Sequence, residues 1–121
     1  FFMSKIVFML DEDKDFLKLY SALLKSKGFQ VFATDNMFLL MKYAQTARPD
    51  WVFVDENFVF NHEDDFVHIL DKAIPFKSPN YAVMSHYPSM RQTASPKLEF
   101  VYKPRVLEKV MQISESCCNI Q

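Results

Sequence analysis

Acidic residues gather at two places in this sequence, each directly after a short apolar run. Asp11-Glu12-Asp13 follows Lys5-Ile6-Val7-Phe8-Met9-Leu10, and Asp55-Glu56-Asn57 follows Trp51-Val52-Phe53-Val54. Two further runs, Tyr81-Ala82-Val83-Met84 and Phe100-Val101-Tyr102, end on Ser85 and on Lys103-Pro104. Carboxylates that lie close together resist simultaneous ionisation unless a cation or a shared proton sits among them, and hard oxygen ligands with open water positions suit magnesium. A magnesium-held carboxylate is a workable nucleophile toward phosphorus, provided that the equatorial oxygens of the transferring group meet positive charge and donors. Lys103 and the Ser85 hydroxyl are of the types to supply both.

These residues meet only if the runs that carry them are neighbouring strands. Those runs, with Phe29-Gln30-Val31-Phe32-Ala33, are rich in valine, phenylalanine and isoleucine and read as strands buried on both faces. Between the first two, Phe16, Leu17, Leu19, Tyr20, Leu23 and Leu24 recur at helical spacing over Asp13 to Lys27, and Gly28 supplies a stop. Asp35 to Thr46 repeats the arrangement, with Asp35 as N-cap, Met37, Leu40, Met41 and Ala44 facing inward, and Pro49 blocking continuation. Asp64 to Ala73 reads as a third helix, and Val106 to Ser116 as a last one with Val106, Leu107, Val110, Met111 and Ile113 on its stripe. His86 to Glu99 contains Pro88 and Pro96 without a sustained apolar period, so a loop or a brief helix over Ser89 to Ser95 is expected there. Alternating strands and helices imply right-handed βαβ units and a parallel sheet sandwiched by helices. In such sheets ligands bind beyond the carboxyl ends of the strands, where strand order reverses. If the first and third strands are neighbours, Asp11, Glu12 and Asp55 share that crevice.

Composition excludes several function classes. The 121 residues, half of them hydrophobic, suffice for one core, and a single domain is expected over 4–121, with residues 1–3 set aside as a cloning remnant. Lysine and arginine number 14 against 15 aspartates and glutamates, too balanced for the positive field that nonspecific nucleic-acid binding uses. No apolar run is long enough to span a bilayer and the opening residues lack a secretory signal, so a cytoplasmic protein without a membrane partner is expected. Cys117 and Cys118 are neighbours without zinc-ligand spacing. The one glycine, Gly28, cannot build a P-loop or a dinucleotide fingerprint, which need several.

Four pieces together, Leu10-Asp11-Glu12-Asp13, Pro49-Asp50-Trp51-Val52-Phe53-Val54-Asp55, Met84-Ser85 and Tyr102-Lys103-Pro104, resemble the receiver domains of bacterial response regulators and hybrid histidine kinases. The resemblance covers Lys5 to about Ser114. It implies a flavodoxin-like, doubly wound (βα)5 fold with strand order 2-1-3-4-5, here with a shortened or irregular fourth helix. It implies that Asp55 is the phosphoacceptor and that Asp11, Glu12 and Asp55 hold Mg2+ with the main-chain carbonyl of Asn57. Ser85 would then bond the phosphoryl oxygen, Lys103 would pair with it, and Phe100 would be the switch aromatic, acting by packing alone. The implied partners are a histidine kinase or phosphotransfer protein, and a downstream protein, an output domain or a second copy in a homodimer. Non-enzymatic two-component signalling is the implied role.

Two other readings stand beside it. The Phe58 to Glu63 loop lacks the proline and glycine common in the family, and His86 replaces a residue usually small, which fits a pseudo-receiver that binds partners without phosphorylation. Asp11-Glu12-Asp13 also resembles the nucleophile motif of haloacid-dehalogenase-type phosphatases, although the chain is short for one and shows no late acidic pair.

Overall fold

The computed structural model describes residues 5–60, 68, 71–73, 79–86 and 98–118. Strands β1 (Ile6–Leu10), β2 (Gln30–Thr34), β3 (Trp51–Asp55), β4 (Asn80–Ser85) and β5 (Leu98–Tyr102) form one parallel sheet in the order 2-1-3-4-5. Helices α1 (Lys14–Ser26), α2 (Met37–Thr46), α3 (Glu56–Phe60) and α4 (Val106–Cys118) accompany it, and a 3-10 turn (Lys103–Arg105) leads into α4. This is the doubly wound flavodoxin-like topology, with its switch point between β1 and β3.

Successive strand residues point to opposite faces, and here both faces are cores. Phe8, Leu10, Val52, Val54, Tyr81 and Val83 pack with Leu40 and Ala44 of α2 and Val59 of α3. Val7, Met9, Phe53, Ala82 and Met84 pack with Leu17 and Leu24 of α1 and Val106, Val110 and Ile113 of α4. Double-sided burial is why the strands read as continuous apolar runs instead of alternating ones.

Helix ends follow from identifiable side chains. Asp13 caps α1 by accepting the Phe16 amide at 3.1 Å. At its other end the Gly28 and Phe29 amides donate to the Lys25 and Leu24 carbonyls at 3.0 and 3.1 Å. This Schellman closure needs the left-handed backbone that Gly28 adopts at φ 94°. Phe29 and Leu24 are buried in the same core, which supplies the apolar contact of the motif.

The α2 cap corrects the sequence reading. Asn36, not Asp35, accepts the Phe38 and Leu39 amides, at 2.8 and 3.2 Å. The Asn36 amide is itself tied to Thr34 Oγ1 at 3.0 Å, which sets the register of the turn and leaves Asp35 one residue early, facing Lys14. The apolar stripes are also narrower than expected. Leu19 is 64% exposed, and Leu107 and Met111 lie outside the Val106, Val110 and Ile113 row, because a helical neighbour sits about 100° around the axis.

The segment after β3, expected as a loop, turns into α3 at once. Val59 is fully buried and Phe58 packs beside it, so the chain is drawn straight back onto the sheet. Most of the helix expected over Asp64 to Ala73 lies outside the described residues. Its described residues 68 and 71–73 are helical, and Asp71 Oδ1 accepts the buried Tyr81 hydroxyl at 2.8 Å. Ser89 to Ser95 also lie outside the described residues.

Candidate functional site

The strand parity that builds the two cores also aims the polar residues at the carboxyl ends. Asp11 and Asp55 are in step with Met9 and Phe53, and Lys103 with Val101, all on the α1 and α4 side. Lys103 extends across the end of β4 and places Nζ 2.9 Å from Asp11 Oδ2 and 3.1 Å from Asp55 Oδ1. Side-chain exposure is 14% for Lys103, 2% for Asp11 and 7% for Asp55, so the three form a buried ionic bridge over the switch point. The Phe16 ring lies 4.9 Å from the ammonium and stacks on Tyr20 at 4.5 Å, giving the lysine an aromatic floor.

The carboxylates differ in what they accept. Asp11 Oδ1 takes the Asp13 amide at 2.9 Å. Asp11 Oδ2 is buried and faces the Lys103 ammonium at 2.9 Å. Asp55 Oδ2 takes the Asn57 amide at 3.2 Å. Burial pushes the Asp11 carboxyl above its ordinary 3.8, against the Asp13 amide and Lys103 and with help from the Asp55 charge. For Lys103, burial pulls downward, but hydrogen bonding and attraction from Asp11 and Asp55 outweigh it and leave the ammonium above 10.5. The lysine is thus firmly charged, and it holds together two carboxylates that repel each other.

A cavity of about 460 Å³ opens over the bridge, lined by Asp11, Glu12, Asp13, Asp55, Glu56, Asn57, His86 and Lys103. Of the residues the sequence singled out, Asp11, Glu12, Asp55, Asn57 and Lys103 therefore converge. Ser85 and Phe100 do not line that cavity. Ser85 is fully buried at the end of β4, in step with Val83, and Phe100 is half-buried in β5 against that same core, on the α2 side of the sheet. Asn57 lies in α3, lines the cavity, and gives its amide to Asp55 Oδ2.

Among the described residues no three histidine, cysteine, aspartate or glutamate side chains converge into a ready cage for a metal ion. Magnesium does not require one, since it keeps several waters and uses one or two carboxylates. Asp11 and Asp55 supply that number, and with Glu12 they give the cavity a lining of hard carboxylate oxygens. The donor set fits magnesium.

Two contributors had no assigned role in the sequence reading. Phe16 stands on the apolar stripe of α1, and its place under Lys103 depends on the lysine reaching back from the end of β5 toward the start of α1. Glu56 stood in the polar run after the third strand, and its carboxylate accepts the His86 amide at 3.1 Å across the cavity mouth. Sequence adjacency to Asp55 was its only signal.

No family model matches the chain, and no curated protein is significantly similar to it. Solved structures are. A response regulator receiver domain protein from Bacillus halodurans superposes with TM-score 0.73 at 12% identity, covering 95% of this chain and 97% of its own. A CheY-like response regulator receiver domain from Methylobacillus flagellatus gives 0.66 at 19% identity, covering 93% and 99%. Constitutive lysine decarboxylase from E. coli gives 0.54 at 14% identity, covering 93% of this chain but 17% of its own. The chain has the fold of response regulator receiver domains, and its strand order is the flavodoxin-like one. No helix among the described residues is long and apolar enough to cross a membrane.

Proposed function

We propose that this chain is a phosphoacceptor receiver domain of a two-component system, taking a phosphoryl group on Asp55 from a histidine kinase or phosphotransfer protein. One observation carries the reading: Lys103 is buried between Asp11 and Asp55 at the topological switch point, on a cavity open to an incoming group. An Asp55 carboxylate oxygen forms the bond to phosphorus while the donor's P–N bond breaks, and the nitrogen leaves with the bonding pair. Lys103 stays charged throughout and offsets the negative charge that the phosphoryl group brings. Magnesium, held by Asp11, Asp55 and the nearby Glu12, would supply Lewis-acid charge to the phosphoryl oxygens. The amide of Asn57, released from Asp55 Oδ2, is a donor in reach of the same group.

Output follows from Ser85 and Phe100. Both face the core opposite the bridge, so a shift of the Ser85 hydroxyl toward the phosphate would repack Phe100 and alter the surface seen by a downstream protein, an output domain or a second copy. The domain accepts one group and does not turn over substrate, in a bacterial cytoplasm. Incubation with magnesium and phosphoramidate, followed by intact-mass measurement, tests this. The wild type gains one phosphoryl group and Asp55→Asn gains none. Full labelling of Asp55→Asn would move the site elsewhere.

The pseudo-receiver reading has one observation in its favour: donors lining the cavity are already bound to the chain's own carboxylates. A folded wild type that takes up no phosphoryl group under these conditions would select it. Sustained hydrolysis of an aryl phosphate would instead select a phosphatase.

A further inference from the structure

A phosphoryl group on Asp55 needs donors for its oxygens, and carboxylates already hold those that the structure shows at the cavity. Lys103 is held by Asp11 and Asp55, and the Asn57 amide by Asp55 itself. Those acceptors belong to the phosphorylation site, so the same event that brings the phosphate rearranges them. The His86 amide is different. Its acceptor is Glu56 Oε2 at 3.1 Å, from the first residue of α3, reaching 30 positions along the chain to the residue that follows β4. Both residues line the same cavity as Asp55.

We propose that Glu56 is a built-in competitor of the phosphoryl group, occupying the His86 amide with its own carboxylate until phosphorylation displaces it. The inference rests on the reading of Asp55 as phosphoacceptor. A carboxylate oxygen and a phosphoryl oxygen are chemically alike to an amide donor, so the two compete for it directly. Glu56 also adds charge of the wrong sign. Asp11, Glu12, Asp13, Asp55 and Glu56 line the cavity against Lys103 as the lysine facing them, and an incoming phosphoryl group adds to that excess. Displacement of Glu56 would release the contact between the start of α3 and the end of β4, next to Ser85. Arrival of the phosphate is thereby coupled to His86 at the end of β4.

Two variants separate reach from charge. Glu56→Asp keeps the charge but is one methylene too short to hold the His86 amide in the same position, and Glu56→Ala removes both. With magnesium and phosphoramidate, both should label faster than the wild type, Glu56→Ala by about fivefold, the scale of one hydrogen bond. The His86 amide should lose protection from hydrogen exchange in both. If both variants label at or below the wild-type rate while Asp55→Asn stays unlabelled, the competitor is wrong and the acceptor assignment stands. Acceleration in Glu56→Ala but not in Glu56→Asp leaves charge alone as the cause and also overturns capture of the amide. Absence of label in every variant, wild type included, sinks the Asp55 reading and the competitor with it.

Discussion

Replacing Lys103 with methionine tests whether the bridge is an ionic device. Methionine keeps an unbranched stem over Phe16 and removes the ammonium, leaving Asp11 and Asp55 facing each other in a site where their side chains are 2% and 7% exposed. Breaking a buried pair in this way costs about 3–5 kcal/mol. Protonation sets a ceiling. Asp11 can take up a proton instead of remaining charged, and forcing a carboxyl from its ordinary 3.8 to neutrality at pH 7 costs about 4.4 kcal/mol, at about 1.36 kcal/mol per pH unit. Part of that cost is already present in the wild type, where burial holds the Asp11 pKa up. A loss of about 3 kcal/mol at pH 7 is therefore expected, including about 0.5–1 kcal/mol from the lost aromatic contact.

The pH dependence gives the sign. A carboxyl whose folded pKa is raised binds its proton more tightly in the folded chain, so ionisation costs stability above the folded pKa and the cost fades as pH falls toward 3.8. The ceiling falls to about 1.6 kcal/mol at pH 5, so the variant should recover much of its deficit there. Urea denaturation of both proteins at pH 7 and pH 5 measures this. An unchanged midpoint at pH 7, or a deficit equally large at pH 5, would refute an ionic role for the lysine.

Other outcomes follow from particular contacts. Lys103 in the wild type has its pKa raised, so its contribution is full below 10.5 and should be lost as pH rises through the higher folded value; alkaline denaturation followed by circular dichroism, compared with Lys103→Met, should show that limb in the wild type only. Asn36→Ala should destabilise by about 1 kcal/mol through the lost α2 cap, whereas Asp35→Ala should change little, its ion pair with Lys14 being exposed; equal effects in thermal melts would contradict the cap assignment. Gly28→Ala meets no steric neighbour, so its expected cost of about 1–2 kcal/mol is backbone strain at φ 94°, and a neutral outcome in the same melts would refute the Schellman closure. Millimolar magnesium should raise the thermal midpoint by mass action and fail to do so in Asp11→Asn; a midpoint unmoved in the wild type counts against the cation site.

Local burial is written into a sequence because it recurs at a fixed period. The continuous apolar runs marked strands with two covered faces, Gly28 marked the end of α1 because only its backbone tolerates the turn, and the acidic clusters stood visibly at strand ends. Fold class and the candidacy of Asp11, Asp55 and Lys103 as site residues were legible for that reason. Strand order was not. It reached the sequence reading through resemblance, because pairing between distant strands leaves no period behind.

Everything that depends on that order was decided by the tertiary structure. The bridge joins residues 48 apart along the chain, and it forms because β3 and β5 flank β4 and a lysine stem is long enough to cross it. Phe100 packs into the other core, Ser85 is in step with it by strand parity, and neither lines the cavity. Asn36 caps α2 in place of its acidic neighbour because Thr34 fixes the turn, and Glu56 finds the His86 amide because α3 starts without a loop. Each of these outcomes turns on a hydrogen bond or side-chain direction of about 3 Å reach, a scale at which one residue of register changes the partner.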